Sequence, residues 1–246
     1  STEASNYAAY RQSLAGGSHN VIVADIEDLY DQFAYGIKKH PQSIRNFCRY
    51  LMDSLPSYPR NLFIIGKSVQ HLEMFTEGAN AWKKCLVPSM GMPPSDNLLT
   101  AGLKSNDFIT PEIPVGRLAA QTSTDVTAYL AKVQQHEVTL GAEWRKHVLH
   151  FAGGTNAGEQ ALFQSYLGNY KNIIQDTLYG GKVYDFKKTT SAPIQITISD
   201  SVKNHFNYGV GIVTFFGHGS VTGFDQAIDD PAVYNNAGKY PLMIAN

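Results

Sequence analysis

Cysteine is scarce: two in 246 residues, Cys48 and Cys85. Two thiols cannot make a disulfide framework, so no small stapled fold is in question, and the compartment stays open on this count. Charge is also sparse, with Lys and Arg together 20 against 21 Asp and Glu, a net charge of -1. That balance excludes a basic nucleic-acid groove or a polybasic membrane surface, which need clustered positive charge. No apolar run approaches the eighteen or so residues of a membrane span. The opening stretch STEASNYAAYRQSLAGG lacks the basic-then-apolar layout of a signal peptide. Missing too are HExxH, a cysteine pair at ligand spacing and the Gly-Lys-Ser/Thr of a phosphate loop. No metal site or cofactor is therefore expected, although structural calcium is left open.

What is present is an alternation of short apolar runs with amphipathic stretches, the pattern of an α/β protein. Val21–Ala24 (VIVA) reads as a buried strand. Ile44, Phe47, Cys48 and Leu51 recur at helical spacing after Pro41. Asn61–Gly66 reads as the next strand. Residues 78–111, broken by Pro88, Pro93, Pro94 and several glycines, read as a surface excursion. Glu112–Arg117 reads as a strand, followed by a helix to about Val138 that Thr122, Ser123 or Thr124 could cap. After Thr139–Lys146 the pattern restarts: strand HVLHFAGG, helix from about Gly158 to Leu178, strand KVYDF, helix from about Ser199 to Asn207, and the apolar strand GVGIVTFFGHG. The expected domains are 1–140 and 141–246. The closing run YPLMIAN stops without a turn, and the first segment is helix-like with no strand before it. Both suggest a piece of a longer protein.

Chemistry concentrates at FFGHGS. Buried parallel strands are apolar throughout and gather ligands at their C-terminal ends. His218 sits at such an end, between Gly217 and Gly219, where glycines permit unusual backbone angles and close approach of a substrate chain. A histidine so placed suits general acid–base work, and Gly219 N–H or Ser220 could donate to a developing oxyanion. It needs a nucleophile. Cys48 lies on an apolar helix face and reads as core. Cys85 has two lysines beside it but nothing that pairs it with His218. His147 and His150, at i and i+3 of a strand, fall on opposite faces and read as structural or surface residues. Phe151–Gln160 is strand, glycine-rich loop and helix, yet Glu159 stands where a phosphate loop has lysine. Gly153, Gly154 and Glu159 then read as one side of a cleft rather than a nucleotide site.

FFGHGS followed some twenty residues later by YPLMIAN resembles the gingipain-like cysteine peptidases, as do EIPVGRLAAQTSTDVTAYLAKVQQHE and the VIVADIEDLY to NLFIIGKSV stretch. The likeness is strongest to the branch holding the type IX secretion signal peptidase and Bacteroidetes surface proteins. It implies a caspase-like fold of two α/β subdomains, the first strand of the first being absent here. It implies polypeptide substrates and a secreted or cell-surface location. The catalytic pair would be His218 and a cysteine about two residues past Asn246, with Gly219 as oxyanion donor, and the chain without that cysteine would be inactive. Two positions depart from the family pattern. Ala152 stands where an acid orients the histidine, and Ala161 where arginine-specific members have aspartate, so cleavage after basic residues is not expected. The alternative is a non-catalytic surface or secretion-associated interaction module of the same fold. The oligomeric state is not legible.

Overall fold

The computed structural model describes residues 1–139, 141–192, 195–196, 200–220, 223–228 and 230–246, without the side chains of 195, 196, 220 and 227. The chain forms two units, Ser1–Ala131 and Lys132–Asn246. Both are α/β with parallel sheets, as the alternating pattern predicts.

The first unit contains α1 (Thr2–Gln12), α2 (Ile26–Phe33), α3 (Gln42–Ser54), β1 (Leu62–Ile65), α4 (His71–Glu77), α5 (Ala79–Lys84) and β2 (Val115–Leu118). The helix α6 (Ser123–Glu137) runs across the division. Its N-terminus is closed reciprocally: Asp125 N–H donates to Thr122 Oγ1 (3.3 Å), and the Asp125 carboxylate accepts from Thr122 N–H (2.9 Å). The strands β1 and β2 pair in parallel, Leu62 opposite Val115. Ile44, Cys48 and Met52 of α3 pack with Ile64 of β1 in the core. Two expectations fail here. Val21–Ala24 forms no strand and pairs with none among the described residues, and Ile22 and Val23 are exposed. The β-branched run has the propensity of a strand, but a strand also needs a neighbour. Residues 78–111 are not a surface excursion: Cys85, Leu99, Ala101 and Leu103 are all buried. Proline and glycine forbid long elements there without forbidding burial.

The second unit is built on a four-stranded parallel sheet. Its elements are β3 (His147–Ala152), α7 (Ala157–Ile174), β4 (Lys182–Lys187), β5 (Gln195–Ile196), α8 (Asp200–Tyr208), β6 (Ile212–Phe216), β7 (Gly219–Ser220), β8 (Gly223–Phe224), β9 (Gln226–Ala227) and β10 (Leu242–Ala245). Ser199, the expected start of α8, lies outside the described residues. The sheet order is β10-β6-β3-β4. Every residue of β3 is buried, as a central strand covered on both faces requires. Leu149, Phe151, Val213 and Phe215 face Val202 and Phe206 of α8. On the opposite face, Phe216 meets Phe163 and Tyr166 of α7, ring centroids 5.1 and 5.2 Å away.

His147 and His150 do fall on opposite faces of β3, and both are buried, so neither is a surface residue. His147 stacks on Tyr208 at 4.9 Å, and neither of its ring nitrogens has a hydrogen-bond partner among the described residues. His150 comes within 3.4 Å of Asp185. Burial holds both imidazoles below the ordinary histidine pKa, and that of His205 on α8 as well.

Candidate active site

The chain runs from β3 outward to β4, then crosses to the other side of β3 to place β6 and, beyond it, β10. The loops after β3 and β6 therefore leave in opposite senses. A crevice at such a switch point is the usual ligand site of an open parallel sheet. The loop after β3 carries Gly153 and Gly154 and leads into α7, whose first turn holds Glu159, and the chain after β6 carries Gly217, His218 and Gly219.

The two segments meet at a contact between His218 and Glu159. His218 Nε2 lies 3.1 Å from Glu159 Oε2, with the His218 side chain 51% exposed. Glu159 is fixed by its own helix end. Asn156 caps α7 by accepting from Glu159 N–H (3.0 Å), and Oε2 of Glu159 accepts from Thr155 N–H (2.8 Å) and Thr155 Oγ1 (2.5 Å). These Thr155 bonds, with that to His218, bring the Glu159 pKa down to about 2. An ionised carboxylate only accepts, so Nε2 of His218 carries the proton. In the neutral ring the basic lone pair is then on Nδ1, which has no partner among the described residues. Phe163, one turn along α7 from Glu159, sets its ring edge-on to the imidazole at 5.7 Å. Glu159, Phe163 and Tyr166 thus form an i, i+4, i+7 stripe over the end of β6. That spacing was visible in the sequence, but nothing in the sequence said which strand end it would meet.

The glycines of the motif have unlike reasons. Neither Gly217 nor Gly219 takes a left-handed φ, contrary to the expectation of unusual backbone angles. A Cβ on Gly217 would stand 2.6 Å from Asp225 Oδ1 and 2.8 Å from Phe215 Cζ. One on Gly219 would meet only the Phe224 ring, at 3.7 Å. Close packing demands the first glycine, while the second has room among the described residues. The Ser220 side chain lies outside the described residues.

Asp225 is absent from the sequence reading and central to the structure. Buried below the loop, it accepts from Gly154 N–H (2.7 Å) and His218 N–H (3.2 Å) and lies 3.4 Å from Lys188 Nζ. Gly153 N–H is taken by Phe216 C=O (2.8 Å). The N–H groups of Gly153, Gly154 and Thr155 are thus all engaged within the chain, so the glycine-rich loop offers no phosphate cradle. Ala152 is buried at the end of β3, and Ala161 is exposed on α7. The carboxylate at His218 comes from Glu159 rather than from the position of Ala152.

Both cysteines are buried. Cys48 is buried, and desolvation raises its pKa to about 11. Cys85 is fully buried against Val69 and Ala81 within the first unit.

Beside the histidine strand, β10 pairs with β6 in parallel, Leu242 opposite Ile212 and Ala245 opposite Phe215. The pairing continues past β10: Asn246 N–H donates to Phe215 C=O (3.0 Å), and Gly217 N–H to Asn246 C=O (3.2 Å). Asn246 is therefore drawn to the strand end that carries His218.

No helix among the described residues is long and apolar enough to cross a membrane. No curated protein matches the sequence. Among solved structures the chain is similar to gingipain R, described as an Arg-specific cysteine proteinase, with a TM-score of 0.61 and 18% identity. The match covers 90% of this chain and 51% of that one, so the chain spans about half the length of gingipain R and shares its fold. The family model of peptidase family C25 matches residues 1–246, and the chain belongs to that family.

Proposed function

We propose that this chain is the histidine-bearing part of a cysteine endopeptidase acting on polypeptides. The observation that carries the reading is the register of β10 on β6. With Leu242 opposite Ile212, the second residue beyond Asn246 in a continuing strand falls opposite His218. Adjacent strands are about 4.8 Å apart, so a cysteine there is within reach of the imidazole.

The chemistry then follows from the tautomer. Glu159 holds the Nε2 proton, and the Nδ1 lone pair accepts the thiol proton as sulfur adds to the peptide carbonyl. The resulting imidazolium donates that proton to the departing amine. Water then hydrolyses the thioester with His218 again as base. Gly219, with room beside it among the described residues, is the proposed oxyanion donor through its N–H. Gly153, Gly154, Gly217, Ser220 and Glu159 flank the substrate cleft. Ala161 argues against an acidic pocket for a basic side chain. A secreted or surface location accompanies the reading.

The 246-residue chain alone is expected to show no peptide hydrolysis above background, since Cys48 and Cys85 are both buried. Turnover by this chain that disappears in Cys85→Ala would refute the placement of the nucleophile. The second reading, a non-catalytic interaction module, draws on Ala152 in place of the expected acid. It requires the longer protein to have no cysteine at the position opposite His218.

A further inference from the structure

The loop bearing His218 is held from beneath by a buried carboxylate outside the Gly-His-Gly-Ser motif. Asp225 is 5% exposed. Its Oδ1 accepts from His218 N–H (3.2 Å), its Oδ2 accepts from Gly154 N–H (2.7 Å), and its own N–H donates to His218 C=O (2.8 Å). His218 is thus bonded through both its N–H and its C=O to one residue.

The counter-charge is equally buried. Lys188 is 1% exposed, with Nζ 3.4 Å from Asp225 Oδ2, and its N–H donates to Ala152 C=O (2.8 Å). A single carboxylate therefore ties together the backbone just past β3 and β6 and, through the Lys188 side chain, the segment just past β4. The surroundings are shaped around it. A Cβ on Gly153 would come 2.1 Å from Asp225 Oδ1, and one on Gly217 2.6 Å. Two glycines are spent on admitting this one side chain. Burying an ion pair gives little stability over apolar packing, and a pair that fixes a unique arrangement is its best-attested use.

We propose that Asp225, with Lys188 as its counter-ion, is the positioning residue for His218, setting the loop so that the imidazole meets Glu159. Asp225 touches no reacting atom and acts only through the main chain of His218. The use of this device in catalysis rests on the peptidase reading, but the device itself does not.

Two measurements on the present chain decide it. In wild-type protein the His218 and Gly154 amides should exchange with solvent at least about 100-fold more slowly than free peptide. Exchange of both at free-loop rates would overturn the proposal without any variant. Long-range nitrogen-15 NMR of the neutral His218 ring should show a single tautomer protonated on Nε2. In Asp225→Asn, or in the charge-balanced Asp225→Asn/Lys188→Met should the single variant not fold, that signal should move toward a mixture of tautomers. A folded variant that keeps one tautomer would overturn it.

In the longer protein that continues past Asn246, the double variant should lower kcat about 10- to 100-fold with KM within about twofold, the effect of a misplaced catalytic group. A larger change in KM than in kcat would count against positioning. If wild-type longer protein has no peptidase activity, the peptidase reading fails, and the exchange and tautomer results still decide the role of Asp225.

Discussion

The two units place polar side chains at the same topological spot, the C-terminal ends of their parallel strands, and treat them in opposite ways. In the first unit Arg117 of β2 spends every donor it has. Nε and one terminal nitrogen grip Asp96 at 2.7 Å each, and the remaining N–H groups reach the carbonyls of Gly66 (2.6 Å), Val87 (2.9 Å) and Pro88 (3.2 Å). That constellation is closed, and it staples chain segments far apart in sequence. In the second unit the buried Asp225 and Lys188 are likewise engaged, but above them His218 has no partner for Nδ1 among the described residues and keeps half its side chain exposed. Polar clustering at a strand end is therefore no sign of a reaction site by itself. The sign is bonding capacity left over at a titratable group that solvent can reach.

The largest expected effect breaks the closed side. Arg117→Ala removes one partner of a mostly buried pair and strands three carbonyls and Asp96. Urea unfolding should show a loss of about 3–5 kcal/mol, as for other broken buried pairs. A loss below about 1 kcal/mol would mean that the first unit is not held in this way.

Next in size is the contrast inside the motif. Gly217→Ala should destabilise by about 1–3 kcal/mol, because its Cβ has no room beside Asp225 and Phe215. Gly219→Ala should stay within about 0.5–1 kcal/mol. Equal costs, read from thermal melts, would erase the distinction between a packing glycine and an open one.

Acid should separate the units further, because the buried His147 and His150 and the half-buried His136 and His205, all held low by desolvation, lie in the second. Their folded pKa values lie below the unfolded value of about 6.5, so the unfolded chain binds more protons as pH falls below it. Stability is fully present above that pH and declines toward the depressed folded values, by at most about 1.4 kcal/mol per pH unit for each group. Urea midpoints from pH 7.5 down to pH 5 should fall, and His150→Leu should flatten the slope. A midpoint independent of pH would contradict the burial argument.

Much of this was legible in the sequence, for definite reasons. The stretch at His147–Ala152 carries apolar residues on both faces, with one buried histidine on each, because both are covered, and such a run announces a central strand. Ile44 and Cys48 sit at helical spacing because one face of α3 is core. His218 stood out because an apolar run ended in a histidine between glycines. What was not legible depends on distance along the chain. Asp225 finds Gly154 across 71 positions and Lys188 across 37, and Glu159 finds His218 across 59. No periodicity links residues so far apart. Only the strand order, which crosses from β4 back past β3, brings them together. Val21–Ala24 was misread for the converse reason: local propensity was right, and the partner strand it needed is not paired with it.

The smallest expected effect lies at the open side. Glu159→Gln should leave the stability almost unchanged, since the side chain is partly exposed. It should still alter the His218 tautomer, because an amide can donate as well as accept. A tautomer unchanged in Glu159→Gln would separate the imidazole from its proposed partner.

His218 is proposed as the acid–base half of a thiol peptidase whose sulfur follows β10. The most direct measurement is peptide hydrolysis by the longer protein continuing past Asn246, with His218→Ala as its pair. The account predicts turnover that falls by about 100-fold or more in the variant, together with a thiol past Asn246 that alkylation blocks along with activity. Hydrolysis that survives His218→Ala, or a longer protein with no thiol opposite His218, would contradict it.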